Sequence, residues 1–140
     1  MTAAGLERFV AAQDGVYEAA LDELRAGAKH SHWMWFIFPQ IVGLSLSSFG
    51  RFYSLADRAE AQGYLAHPLL GPRLGECTDA MLSWAGRREA RAILGHIDAM
   101  KFASSMTLFE AAGGSERFAR ALELLCSGER DRLTLDLLAA

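Results

Sequence analysis

Large apolar residues return at every third or fourth position along most of this chain, and glycines punctuate the series. That pattern predicts amphipathic helices separated by glycine stops. From Leu6 to Ala26, the positions Leu6, Phe9, Val10, Tyr17, Leu21 and Leu24 form one stripe, expected as a single helix that Gly27 ends. Asp57 is placed to cap a short helix through Tyr64 and Leu65, and Pro68 suits the first turn of the helix that follows. Leu70, Leu74, Cys77, Met81 and Trp84 make a second stripe, closed by Gly86. Ser115 is expected to cap a helix bearing Phe118, Leu122 and Leu125 up to Gly128, and Asp131 a last one with Leu135 and Leu138. No linker, repeat or low-complexity tract interrupts residues 1–140, so the expected fold is all-α: a compact single-domain bundle of about six to eight helices.

Two segments break the amphipathic pattern. Trp33-Met34-Trp35-Phe36-Ile37-Phe38 is an unbroken large apolar run behind the polar Lys29-His30-Ser31-His32, and it is expected to be buried. It is far shorter than the ~20 residues a membrane span needs, and Pro39-Gln40 interrupts it. In the second segment, Gly95 to Phe109, Ile97, Met100, Phe102, Met106, Leu108 and Phe109 point all around a helical wheel, which predicts a central helix surrounded by others. Ser104 and Ser105 would permit close backbone approach there, with their hydroxyls bonded back to carbonyls one turn earlier.

Composition narrows the function classes. With 51% hydrophobic and 22% charged residues among 140, the chain buries enough apolar surface to fold. A net charge of −3 withholds the phosphate attraction on which most nucleic-acid binders rely, so no nucleic-acid partner is expected, and no membrane partner either. Cys77 and Cys126 lie far apart and form no metal or disulfide framework, and the opening Met-Thr-Ala-Ala-Gly carries no secretory pattern. The expected setting is the cytoplasm.

The candidate chemistry lies in the two anomalous segments. Only two of the 14 Lys and Arg residues are lysines, Lys29 and Lys101, one in each segment. A lysine where arginine is the rule suggests a compact ammonium at a defined place. Lys101 follows Asp98 by one helical turn, so a buried structural ion pair is one reading and a ligand site the other. Lys29, just past a helix end, either faces helix carbonyls or binds an anion. His30 and His32 lack a third ligand at helical spacing, so no metal is expected. His67 reads as a residue leading into a helix, and the hydroxyls of Gly43-Leu44-Ser45-Leu46-Ser47-Ser48 as caps for the next one. Trp33, Trp35, Phe36, Phe38, Phe49, Phe52 and Tyr53 form either plain core or the wall of a pocket for a planar ligand. Neither cysteine looks activated.

Leu6-Glu7-Arg8-Phe9-Val10, Ala12-Gln13, Tyr17, Lys29, the block Ser31-His32-Trp33-Met34-Trp35-Phe36-Ile37-Phe38-Pro39-Gln40 and Gly43-Leu44 resemble a bacterial family of small helical proteins of unknown function. The resemblance continues through Tyr64-Leu65, His67-Pro68, Leu70-Gly71, Arg73-Leu74, Asp98, Lys101, Ser104 to Phe109, Asp131 and Thr134-Leu135, nearly the whole chain. It implies a compact, mainly helical fold. The label calpastatin sometimes given to such proteins does not suit this chain, because that inhibitor is long, disordered and repetitive. Ala12-Gln13, Tyr17, Lys29 and the Leu70 to Leu74 pattern are also similar to the helical NADAR group. That likeness implies ADP-ribose or NAD chemistry and an N-glycosidase activity, but no acidic residue is clearly placed to activate water.

The leading expectation is a small anionic or nucleotide-like ligand held by Lys29, His32, Trp33, Trp35, Gln40, Asp98, Lys101 and Ser105, with Asp98 tuning Lys101. No cofactor is expected, and catalytic residues are unassigned. The alternatives are a non-catalytic interaction or homodimerisation module with an exposed apolar face, and an ADP-ribose or nucleotide N-glycosidase in which the lysines hold phosphates and Asp98 polarises water.

Overall fold

The computed structural model of the chain describes residues 2–140, with side chains from Gly5 onward. The described residues form ten helices: α1 Thr2–Gln13, α2 Tyr17–Arg25, α3 Met34–Ile37, α4 Ser48–Phe52, α5 Arg58–Ala66, α6 Leu70–Leu82, α7 Ala90–Leu94, α8 His96–Ala111, α9 Glu116–Leu125 and α10 Arg132–Ala139. Among these residues, extended pairing is confined to one parallel bridge between Ile41 and Leu55. The fold is all-α, with more helices than the six to eight expected. Three of the extra elements, α3, α4 and α7, have four or five residues each, too few to display a helical period.

The stripe from Leu6 to Ala26 is two helices rather than one. Gly15 takes φ +76° between them, so α1 packs against α3 and α5 while α2 packs against α6. The Gln13 side chain, 1% exposed at the end of α1, donates to the Phe36 carbonyl at 2.8 Å and the Tyr64 hydroxyl at 3.2 Å, which ties three elements to the break. Asp57 and Asp131 cap α5 and α10 by accepting the Glu60 and Thr134 N–H groups, and Ser47 caps α4. Ser115 occupies the N-cap position of α9 but its side chain makes no cap bond. Pro68 lies in the turn ahead of α6 rather than in its first turn, and the imidazole of His67 accepts the Leu69 and Leu70 N–H groups there.

α8 crosses the middle, against α5, α7, α9 and α10. Phe102, Met106, Leu108 and Phe109 are fully buried, each contributing about 2 kcal/mol through removal from water. This matches the expected central helix for its C-terminal three turns. Its first turns differ: Ile97 is 68% and Met100 60% exposed. The Ser104 hydroxyl returns to the Met100 carbonyl at 3.1 Å, whereas the buried Ser105 hydroxyl has no partner. No helix among the described residues is long and apolar enough to cross a membrane.

Candidate functional site

The site begins where α2 ends. Gly27, at φ +76°, turns the chain under Trp84, whose indole would stand 2.7 Å from any Cβ placed there. Trp84 cannot easily yield, because its indole N–H is bonded to the Leu24 carbonyl at 3.0 Å. The chain then runs without helix or strand to α3, and the Lys29 N–H is held by the Ile93 carbonyl of α7 at 2.9 Å. This brings the Lys29 side chain to the first turns of α8.

There the Lys29 Nζ lies 2.9 Å from Asp98 Oδ2, and the Lys101 Nζ lies 3.6 Å from Asp98 Oδ1. Each ammonium also stands over an indole: Lys29 at 5.1 Å from the Trp33 ring centre, Lys101 at 5.3 Å from that of Trp35. Such placements stabilise a cation by about 0.5–1 kcal/mol at partly wet sites. The Lys29 side chain is 8% exposed, those of Asp98 and Lys101 21% and 28%. At ion-pair distance the two ammoniums share one carboxylate, and the more open of them, Lys101, stands in a partly dehydrated place, where an added anion is worth more than in open water. Both Asp98 oxygens face an ammonium, so neither stands free as a base.

The second indole leads outward. Trp35 is half-buried and stacks on Phe49 at 5.4 Å and 25°, and Phe49 lies parallel to Tyr53 at 6.5 Å. Phe49 and Phe52 remain 61% and 57% exposed, with Leu46 and Val42 also open to water. A shallow, open depression lined by Leu94, Gly95, His96, Ile97 and Asp98 also meets the cluster at Asp98.

Of the residues singled out from sequence, five come together: Lys29, Trp33, Trp35, Asp98 and Lys101. Trp33 is fully buried, so its ring supports Lys29 from within. Ser105 is also fully buried, one turn beyond Lys101 on α8. His32 is exposed, and Gln40 is half-buried, with its main-chain carbonyl accepting the Leu55 N–H at 2.9 Å. The Lys101–Asp98 pair exists, but Lys29 makes the shorter contact to the same carboxylate. Burial pushes the Cys77 and Cys126 thiols up to about 12, which leaves both as poor nucleophiles. Among the described residues, no group of three or more His, Cys, Asp or Glu gathers to hold a metal ion.

Sequence reasoning missed Glu23. Its carboxylate, half-buried at the end of α2, accepts from the His30 and Ser31 main chain, the Ser31 hydroxyl and the Trp33 indole. Burial works against its charge, yet these four donors outweigh burial and hold it at about 2. One signal was present: a carboxylate in the last turn of a helix opposes the helix dipole and asks for another reason to be there.

The fold and the cluster together define an all-helical domain with a small cationic centre walled by two tryptophans. The chain belongs to the family described as "Protein of unknown function (DUF1810)", whose sequence profile matches residues 3–138. Its fold is similar to that of the conserved hypothetical protein Rv1873 from Mycobacterium tuberculosis, seen in a crystal structure. The two share 46% identity, 96% of each chain is covered, and the TM-score is 0.92. None of the curated proteins compared with the chain matches it.

Proposed function

We propose that the domain binds a small anionic ligand, nucleotide-like in character, at the Lys29–Asp98–Lys101 cluster. The observation that carries this reading is the surplus ammonium: two lysines share one carboxylate in a half-dehydrated setting. A phosphate or carboxylate group would replace lost water around the more open Lys101. The planar part would lie along the exposed rings of Phe49 and Phe52, beside Trp35. An N-glycosidase step is less well supported, because Asp98 would have to leave an ammonium before it could polarise water.

A thermal-shift panel of nucleotides, NAD, ADP-ribose, sugar phosphates and inorganic pyrophosphate tests this. A ligand at about 100 times its Kd adds roughly 2.7 kcal/mol, a rise of about 10 °C in Tm for a domain this size. The rise should vanish in Lys101→Ala, and silence across the panel contradicts the proposal.

The exposed row Val42, Leu46, Phe49 and Phe52 favours a second reading, a protein interface or homodimer face. Sedimentation of the wild type and of Leu46→Ser/Phe52→Ser separates the two: a dimer dissolved by these changes supports the interface, and a wild type that stays monomeric argues against a homodimer.

A further inference from the structure

We propose that Glu23 is the positioning residue of the anion site: its carboxylate clasps the segment carrying Lys29 and Trp33 and so sets where the Lys29 ammonium stands. This rests on the anion-site reading above. Glu23 Oε1 accepts the His30 N–H at 2.8 Å, the Ser31 N–H at 3.0 Å and the Trp33 indole N–H at 3.0 Å, while Oε2 accepts the Ser31 hydroxyl at 2.6 Å. The segment between Gly27 and α3 has no helical or sheet bonds of its own, and its path is held by these four bonds, by the Lys29 N–H bond to the Ile93 carbonyl and by the Ala28 N–H bond to the Glu23 main-chain carbonyl at 3.1 Å.

The geometry links the clasp to the ammonium twice. Lys29 is held from behind by α7 through its own N–H and from ahead by the Glu23 bond to the next residue. The ring beneath its Nζ, that of Trp33, is oriented by the same carboxylate. Main chain and ring are therefore referred to one anchor, and Asp98 meets an ammonium already aimed at it. Supporting groups of this kind hold a binding group in place without touching the ligand.

Inorganic pyrophosphate, titrated calorimetrically at a temperature where every variant is folded, provides the test. Wild type and the exposed neighbour control Asp22→Ala should bind alike, Glu23→Ala should weaken binding at least tenfold, and Glu23→Gln, with one acceptor oxygen retained, should fall between. Because Glu23 acts through Lys29, Glu23→Ala should cost little further affinity in a Lys29→Met background, whereas a merely structural role would leave the two losses additive. If Glu23→Ala does not fold, Glu23→Gln carries the same comparison. Equal affinity in wild type and the Glu23 variants overturns the positioning role alone. A wild type that binds no pyrophosphate overturns the anion site and this role with it.

Discussion

Two tryptophans two residues apart, each beneath a lysine, have opposite surroundings. Trp33 is sealed in the core, its N–H spent on Glu23 and its ring under the nearly buried Lys29. Trp35 is half-exposed, with Lys101 over its ring and Phe49 stacked beside it. Both lysines end on Asp98. The difference teaches that one half of the cluster is frame and the other is opening: the Trp33 side fixes positions, and the Trp35 side has room for something to arrive.

The contrast breaks most readily in stability. Trp33→Ala should lose about 3–5 kcal/mol in chemical denaturation, by cavity formation and by stripping Glu23 of a donor, whereas Trp35→Ala should lose about 1–2 kcal/mol. Equal losses would erase the distinction between frame and opening.

Asp98→Asn sharpens it by a difference of sign. Removing the carboxylate leaves two ammoniums facing one another, so stability should fall by about 1 kcal/mol at low salt and by less at high salt, while affinity for pyrophosphate rises severalfold. A purely structural pair predicts the loss without the gain; calorimetric titration with pyrophosphate alongside denaturation reads both.

Glu23 gives an effect of similar size through pH. Its carboxyl is held at about 2 in the folded chain, below its ordinary value near 4.5, so its contribution is complete above pH 5 and disappears as pH falls toward 2. After allowance for solvent screening this amounts to about 1 kcal/mol. Glu23→Gln should therefore flatten the acid limb of the stability curve, and an unchanged limb in denaturation from pH 5 to pH 2 contradicts the clasp.

Most of the frame was legible in the sequence and the site only partly. The stripe through Leu70, Leu74, Cys77 and Met81 and the caps Asp57 and Asp131 are local features, and local spacing suffices to read them. The break at Gly15 was not, because the apolar period continues across it while the two halves bury against different partners. Lysine scarcity pointed to Lys29 and Lys101, and one helical turn gave the Lys101–Asp98 pair. That Lys29 makes the shorter contact depends on α7 and α8 bringing distant residues together, which no spacing encodes. Glu23 stayed hidden for a related reason: all four of its donors belong to the segment between Gly27 and α3, which has no periodicity to read.

The most direct test of the anion site is a titration of ¹⁵N-labelled protein with inorganic pyrophosphate, following the indole N–H signals of Trp33 and Trp35. A saturable shift at Trp35 with Trp33 nearly still, abolished by Lys101→Ala, is the result this account predicts. No movement at Trp35 up to millimolar pyrophosphate would contradict it.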